Sequence, residues 1–341
     1  MLFFMNDYSE GAHPRVLEAL VKTNEVKQVG YGLDDYCKEA INLIKSKVGD
    51  TDIDVHLLPA GTLTNLIAIA SFLRPYEAVI STRLGHIAVH ETGAIEATGH
   101  KVIEVDSNDG ILRPEDIEKV VSEHVDEHMV LPRLVYISNA TEMGTIYSKD
   151  MLVKIREKCD EHGLLLYLDG ARLANALTCN DADLPLNDIS ELTDAFYIGG
   201  TKNGMLFGEA LIISNEDLKK NIRFMIKQRG GLLAKGRLLG IQFIEMFKDD
   251  LYFDLARHTN AMAHKLKEGI KALDYELIVE PSTNLIFTKL PNHVHKVLSK
   301  ECYYEAELPF DKDHMEARFV TSWATDETSI DVLLNRLKEL K

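Results

Sequence analysis

The predicted fold depends on two short apolar runs, Leu164-Leu165-Leu166-Tyr167-Leu168 and Ala195-Phe196-Tyr197-Ile198. Each run has the length and composition of a buried strand. Polar residues follow at each carboxyl end, first Asp169-Gly170-Ala171-Arg172 and then Gly199-Gly200-Thr201-Lys202. In open α/β sheets, ligands bind at the carboxyl ends of the parallel strands. The two runs therefore predict neighbouring strands that carry a ligand site.

Further β-type runs alternate with helical patterns between residues 50 and 215, and they lie at 78–81, 101–105, 134–138 and 210–213. This alternation predicts parallel βαβ units and an α/β sheet that is covered on both faces. The run at 210–213 follows Lys202 after a short loop. We therefore expect it to pair antiparallel in the same sheet.

The pattern changes after Lys235. A long helical region over about 231–273 is followed by β-type runs at 276–279, 285–289 and 318–322, and by an amphipathic helix from Thr328. This order predicts a smaller α+β domain. We divide the chain into a large domain of residues 1–245, which includes an N-terminal arm, and a small domain of residues 246–341.

Composition limits the classes of function. The chain has 341 residues, 45% of them hydrophobic, which suffices for a substantial core. Its formal net charge of −16 disfavours nucleic acids and anionic membranes as partners, because both carry negative charge. The four cysteines are widely spaced, as is typical of free thiols in a reducing compartment. No signal peptide and no apolar run of roughly 20 residues is apparent, so we expect a soluble cytoplasmic protein.

An amine and a carboxylate at adjacent strand ends favour pyridoxal 5′-phosphate (PLP) as the cofactor. PLP chemistry needs a lysine that forms a Schiff base and a carboxylate that keeps the pyridine nitrogen protonated. Lys202 and Asp169 meet these two needs. Taken singly, a lysine in a glycine-rich turn is usually solvated, and Asp-Gly after a strand is usually a turn. Their pairing predicts a PLP enzyme.

Other residue types fit the same site. Gly61 and Thr62 open a helical pattern, and a helix start can bind a phosphate, although ordinary capping is the simpler alternative. The chain contains neither GxxxxGK[ST] nor GxGxxG, so both nucleotide-binding fingerprints are absent. His86 follows a predicted strand, where a histidine can contact a flat cofactor and exchange protons. Arg172 and Arg318 have side chains that suit a substrate carboxylate or cofactor oxygens.

Together these motifs resemble the threonine aldolase branch of the aspartate-aminotransferase-like (fold-type I) PLP enzymes. The most specific motif is Asp169-Gly170-Ala171-Arg172, followed by a lysine after the next strand. The resemblance extends along nearly the whole chain, through Asn6-Asp7, Pro59-Ala60-Gly61-Thr62 and Thr283-Asn284. It implies a large domain with a mostly parallel sheet and a smaller C-terminal α+β domain.

The resemblance also implies a role for each candidate residue. Lys202 would carry the cofactor, Asp169 would pair with the pyridine nitrogen, and His86 would stack on the ring. The other cofactor-binding and substrate-binding candidates are Gly61, Thr62, Thr201, Arg172, Arg318, Asn6 and Glu142. Members of this family are usually homodimers or homotetramers whose active sites are shared between subunits.

Some positions depart from the family pattern. The segment Asn139-Ala140-Thr141-Glu142 stands where the family usually has Asn-Thr-His-Asn. The second active-site histidine, which assists proton removal from the substrate hydroxyl, is therefore missing, and Glu142 or Thr141 is the candidate replacement. Gly199-Gly200-Thr201-Lys202 replaces the more usual Leu-Ser-Lys, and Asn6 replaces a serine that binds carboxylate.

The implied activity is that of a PLP-dependent lyase. It would cleave L-threonine, L-allo-threonine and similar β-hydroxy-α-amino acids to glycine and an aldehyde by retro-aldol chemistry. His86, or a water held by Glu142, is the candidate base. The alternatives are a PLP-dependent β-eliminating lyase, an aminotransferase and a non-catalytic relative that keeps the fold. No residues show the spacing of a metal site, so no metal is expected.

Overall fold

The computed structural model describes residues 1–306 and 308–341. The strands are β1 (Leu2–Phe3), β2 (Asp54–Leu58), β3 (Glu77–Thr82), β4 (Val102–Val105), β5 (Leu131–Ser138), β6 (Leu165–Asp169), β7 (Ala195–Gly199), β8 (Glu209–Ile213), β9 (Leu285–Pro291), β10 (Cys302–Tyr303) and β11 (His314–Val320). The helices are α1 (Pro14–Lys22), α2 (Asp35–Val48), α3 (Gly61–Phe72), α4 (His86–Val89), α5 (Pro114–Glu123), α6 (Lys149–His162), α7 (Leu173–Thr178), α8 (Leu186–Leu192), α9 (Glu216–Lys219), α10 (Ile222–Gln228), α11 (Arg237–Phe247), α12 (Leu251–Ala272), α13 (Asn292–Leu298) and α14 (Glu327–Leu340).

A seven-stranded sheet has the order β2-β8-β7-β6-β5-β3-β4. The pairings among β3, β4, β5, β6 and β7 are parallel, whereas β8 pairs antiparallel with both β7 and β2. The predicted parallel sheet and the predicted antiparallel strand at 210–213 are thus both confirmed.

The central strands are buried on both faces, which explains their continuous apolar sequences. All residues of β6 and β7 are buried. Successive side chains of β6 alternate between two cores, so that Leu166 and Leu168 face one core, and Leu165 and Tyr167 face the other. Helices therefore cover the sheet on both sides.

The register brings polar residues together at one edge of this sheet. Ser138 at the end of β5 lies opposite Asp169 at the end of β6. Because β8 runs antiparallel, its first residue, Glu209, lies opposite both Gly199 at the end of β7 and Leu58 at the end of β2. The carboxyl ends of four strands and the amino end of β8 thus meet at the same edge.

The C-terminal part has a separate core. Strands β9 and β11 pair antiparallel, and β1 pairs parallel with β10. This core contains Phe4, Phe319 and Leu333. The first strand, predicted to form an arm of the large domain, therefore packs with the C-terminal part. Helix α12 joins the two cores, because Ala256 packs in the large-sheet core and Ala263 packs in the C-terminal core.

Two local predictions for this region are wrong. The helical region predicted over 231–273 is divided into α11 and α12, because Asp250 adopts a left-handed conformation with φ of 60° between them. The strand predicted at 276–279 is reduced to an isolated bridge between Leu277 and Thr288. A short apolar run indicates burial, but it cannot show that a neighbouring strand offers enough hydrogen bonds to extend a ladder.

The cysteines of the chain are buried, and its helices were compared with the length and hydropathy of a membrane span. All four cysteines are free and buried, and burial raises the pKa of Cys37, Cys159 and Cys302 to about 12. These thiols are consequently protonated and unreactive at neutral pH. Within the described residues, no helix combines the length and the hydropathy needed to cross a membrane.

The close approach of β6 and β7 at their polar ends gives a first prediction. A Cβ atom on Gly170 would lie 1.8 Å from the carbonyl oxygen of Tyr197. We expect Gly170→Ala to lower the free energy of unfolding by about 1–3 kcal/mol, because the backbones must move apart. Gly11→Ala is the control, since no atom lies within 4 Å of its added Cβ. Equal denaturant-unfolding free energies for the two variants would contradict this packing.

Candidate active site

A cleft with about 720 Å³ of empty volume opens at the polar edge of the sheet. Eight of the residues predicted from sequence line it, namely Gly61, Thr62, His86, Glu142, Asp169, Arg172, Thr201 and Lys202. They come from five separate regions of the chain. The expected convergence of candidate residues at the carboxyl ends of the strands is therefore present in the fold.

Asp169 is a buried carboxylate that accepts three hydrogen bonds. Its Oδ2 atom accepts hydrogen bonds from the Tyr136 hydroxyl at 2.6 Å and from Asn65 Nδ2 at 2.9 Å. Its Oδ1 atom accepts one from the Ala171 backbone N–H at 3.0 Å. Burial acts to raise the pKa of Asp169, but nearby His86, the Tyr136 and Tyr197 hydroxyls and the Ala171 N–H hold it below its usual value. Asp169 is consequently ionised at neutral pH.

Lys202 lines the same cleft as Asp169. Among residues 1–306 and 308–341, no hydrogen bond or ion pair holds its ammonium group. Burial and, secondly, the charge of Arg172 lower the pKa of Lys202. A lowered pKa increases the fraction of neutral amine, which is the nucleophilic form.

His86 begins helix α4 and is linked to two acidic side chains. Its ring Nδ1 lies 2.8 Å from Glu91 Oε1, and its backbone N–H donates to Glu142 Oε1 at 2.9 Å. Asn65 Nδ2 also donates to Glu91 Oε1, at 2.7 Å. Glu91 thus orients the imidazole ring and connects it to the hydrogen-bond network around Asp169.

Glu142 projects into the cleft from the turn after β5. Its Oε1 atom accepts a hydrogen bond from Ser138 Oγ at 2.8 Å, and Ser138 Oγ also lies 3.3 Å from the Tyr136 hydroxyl. Burial raises the pKa of Glu142, and the negative charge of Asp169 raises it further. A carboxyl group with a raised pKa at this position can exchange a proton with a bound molecule.

Arg172 forms a two-point contact that the sequence did not indicate. Its Nε and Nη2 atoms donate to Asp7 Oδ2 at 2.7 Å and Oδ1 at 3.1 Å. Asn284 Nδ2 donates to Asp7 Oδ2 at 2.9 Å. Burial raises the pKa of Asp7, but Arg172 and Lys202 outweigh it and lower the value overall. Part of the guanidinium group is therefore engaged by a carboxylate of the protein itself.

The cleft lining in the described chain does not include Asn6 or Arg318. Asn6 Oδ1 accepts hydrogen bonds from the Tyr8 backbone N–H and the Ser9 hydroxyl, which closes a local turn. Arg318, on β11, forms an ion pair with Glu305. Each of these two side chains therefore bonds to a residue outside the cleft lining.

The start of helix α3 provides backbone donors. Its N-cap residue, Ala60, makes no side-chain capping hydrogen bond. The first N–H groups of the helix therefore remain available to an anion, which the positive end of the helix dipole also favours. Gly61 packs against the Tyr197 side chain, since an added Cβ would lie 3.3 Å from its hydroxyl oxygen.

Sequence reasoning missed several residues of the site. Asn65 and Tyr136 hold Asp169, Asp7 holds Arg172, and Glu209 lines the cleft at the start of β8. Asn65 lies in a segment that showed only a helical pattern, and Asp7 lies in the Asn6-Asp7 motif, for which the resemblance gave a role to Asn6 alone. Glu209 carried a usable signal, because a charged residue opens an otherwise apolar strand directly after Gly208.

The residues of the cleft fit the chemical requirements of PLP. An ionised carboxylate, an amine that is easily deprotonated and a set of free backbone N–H groups match its pyridine nitrogen, its aldehyde and its phosphate. A separate group of potential metal ligands, Glu118, Glu161 and His162, lies outside this cleft. Lys158 pairs with both of those carboxylates. An ammonium group thus already compensates their negative charge.

Known proteins are similar to this chain in sequence. The beta-eliminating lyase family matches residues 25–292. The low specificity L-threonine aldolase of Pseudomonas aeruginosa is 31% identical, over 99% of this chain and 95% of that protein. The protein of the same name from Escherichia coli is 26% identical, over 68% of each chain.

Solved structures agree in fold. A Leishmania major threonine aldolase is 49% identical, with a TM-score of 0.98 over 100% of this chain and 99% of that one. Serine palmitoyltransferase from Sphingomonas wittichii is 14% identical, with a TM-score of 0.75 over 99% and 86%, and shares the fold alone. The expected fold-type I architecture is thereby confirmed. The chain belongs to the beta-eliminating lyase family and, within it, to the threonine aldolases.

Proposed function

We propose that the protein is a PLP-dependent lyase that cleaves L-threonine and related β-hydroxy-α-amino acids to glycine and an aldehyde. The observation that carries this proposal is the pairing of Asp169 and Lys202 in one cleft. The acid has a lowered pKa and stays ionised, and the lowered pKa of the amine favours its neutral form. The relatives from Pseudomonas aeruginosa and Leishmania major, named threonine aldolases, support the same reaction.

Each residue of the cleft has a separate role in binding the cofactor. When bound, PLP supplies an electron sink for the bond that breaks at Cα of the amino acid. Asp169 would hold a proton on the pyridine nitrogen, and Lys202 would present its amine as the covalent attachment point. The N–H groups of Gly61 and Thr62 would bind the phosphate. His86 would contact the ring, and its Nδ1 contact with Glu91 fixes the orientation of the imidazole.

Cleavage requires removal of the proton from the β-hydroxyl of the substrate. Loss of that proton lets the oxygen form the aldehyde carbonyl as the Cα–Cβ bond breaks. Glu142, directly or through a water, and His86 are the two candidate bases, since both line the cleft. We favour Glu142, because it occupies the segment where the family's second histidine is missing and its pKa is raised.

Arg172 supports binding of the substrate carboxylate. Asp7 engages Nε and Nη2 of the guanidinium, and within the described residues no hydrogen bond uses Nη1. This leaves both N–H groups of Nη1 for the substrate, in an orientation that Asp7 fixes. Asn6 and Arg318 are proposed as further carboxylate-binding residues on the family resemblance alone.

A homodimer or homotetramer with shared sites is also proposed. An interface between copies would bury several large apolar side chains that are exposed in the single chain, namely Val21, Val29, Tyr31, Leu33 and Phe224. Light scattering on the purified protein measures the mass directly. We further propose a cytoplasmic location, in keeping with the free cysteines, and domains of residues 1–245 and 246–341.

Replacement of the lysine tests the proposed chemistry. With PLP and L-threonine, the wild-type protein is expected to release glycine and acetaldehyde in equal amounts. Lys202→Ala is expected to lose this activity and the colour of the PLP-loaded protein, because no other amine occupies its position. Lys300→Ala, on the exposed surface, is the control. Amino transfer to a ketoacid without glycine release would instead favour an aminotransferase.

The assignment of Glu142 predicts a pH effect. A base must be ionised, so activity falls as the pH drops through the pKa of Glu142, which lies above the usual glutamate value. We expect Glu142→Gln to lower kcat on L-threonine by about 10²–10⁴-fold. For this variant, we expect that kcat/KM no longer falls toward acidic pH.

Glu96→Gln is the matched control for Glu142→Gln, because Glu96 lies outside the cleft. Both variants should bind PLP like the wild type, as measured by absorbance titration. An acidic limb that persists unchanged in Glu142→Gln would assign the base to another group, with His86 as the next candidate.

A further inference from the structure

Glu209 is a buried acidic residue that the proposed reaction does not use. It lines the cleft and is 4% exposed. Both of its hydrogen bonds come from the turn that carries Lys202. The Thr201 hydroxyl donates to Oε1 at 2.6 Å, and the Gly200 backbone N–H donates to Oε2 at 3.1 Å. Burial raises the pKa of Glu209 to about 8, so that it carries a proton at neutral pH.

The Thr201 hydroxyl has a limited hydrogen-bonding capacity. It can donate one hydrogen and accept at two lone pairs. Its oxygen already accepts a hydrogen bond from the Gly208 backbone N–H at 3.0 Å. When Glu209 is an ionised acceptor, it takes the single hydrogen of Thr201. No donor then remains on Thr201 for a ligand in the cleft, although the residue lines it.

Protonation of Glu209 reverses the direction of this contact. The carboxylic acid O–H then donates to Thr201 Oγ1 across the same pair of oxygen atoms. Thr201 Oγ1 accepts from Glu209 and from the Gly208 N–H, which fills both lone pairs. Its own hydrogen is released to point into the cleft, and no heavy atom has to move. One proton on Glu209 thus creates one new hydrogen-bond donor in the cleft.

The groups around Glu209 favour this change when an anion enters. Lys202 stabilises the ionised form of Glu209, and Asp169 opposes it. The phenols packed nearby, whose own pKa values burial raises, are neutral at the relevant pH; they are Tyr167, Tyr197 and Tyr252. A phosphate dianion in the cleft adds negative charge, which favours the neutral carboxylic acid.

We propose that Glu209 is a positioning residue whose protonated form favours binding of the cofactor phosphate, because it frees the hydrogen of the Thr201 hydroxyl. This inference rests on the proposed function, because it takes PLP as the anion that enters the cleft. Glu209 acts through Thr201 and does not itself touch the reacting atoms.

The test uses the protein without PLP and pyridoxine 5′-phosphate as the probe, since this compound has no aldehyde to react with Lys202. Its phosphate is a dianion above pH 7. If only the protonated form of Glu209 binds well, the wild-type Kd rises about tenfold between pH 7 and pH 9. Glu209→Gln keeps the neutral donor and acceptor at every pH. We therefore expect it to lack this tenfold component, while retaining any change due to the probe's own ring or to loss of the Lys202 charge.

Two further variants complete the design. Glu216→Gln, on the exposed helix α9, should reproduce the wild-type dependence on pH. Thr201→Val keeps Glu209 but lacks the hydroxyl, so its affinity at pH 7 should fall toward the wild-type value at pH 9. This variant provides the test if Glu209→Gln does not fold.

Failure of the inference can be told apart from failure of the proposed function. Wild-type protein that neither binds the probe nor releases glycine from L-threonine with PLP would overturn the proposed function. Wild-type protein that does both, while Glu209→Gln shows the same tenfold change between pH 7 and pH 9, would overturn the role of Glu209 alone. Unchanged affinity of Thr201→Val at pH 7 would do the same.

Discussion

A carboxylate that stays ionised inside the protein is the constraint on which the rest of the site depends. Burial of an isolated charge is costly, and the cost is offset only when donors surround it. For Asp169 those donors come from α3, β5 and the turn after β6, through Asn65, Tyr136 and the Ala171 N–H. The three elements must hold their relative positions for the charge to persist. The same helix, α3, presents its free N–H groups to the cleft.

The antiparallel strand β8 places a second acidic residue, Glu209, in the lining of the cleft. Inserted between β2 and β7, it brings its first residue to the edge where the parallel strands end. Glu209 therefore lies beside the turn that holds Lys202. One buried acid is ionised and the other is neutral at the same pH, because Asp169 accepts three hydrogen bonds and is near His86, whereas burial dominates at Glu209.

The N-terminal segment connects the two halves of the molecule at the cleft. Asp7 accepts hydrogen bonds from Arg172, which follows β6, and from Asn284, which precedes β9 in the C-terminal part. Strand β1 pairs with β10 in that same part. The orientation of Arg172 is therefore set by residues that are far apart in sequence. The C-terminal core and the N-terminal segment both contribute to the geometry around the cofactor pocket.

The sequence by itself predicted six of the seven strands of the main sheet, the direction of β8 and the convergence of Lys202, Asp169, His86 and the Gly61 turn, because strand ends and short polar motifs are local features. It also showed that the second histidine of the family is missing and that Glu142 lies in the segment where that histidine is expected. It did not predict β2 or the order of the strands. Tertiary structure alone decided that Asp7 engages Arg172, that Asn65 and Tyr136 hold Asp169, and that Asn6 and Arg318 bond to neighbours instead of lining the cleft. The physical reason is that a polar side chain bonds to whichever partner the fold brings within reach, and pairing across hundreds of residues leaves no periodic trace along the chain.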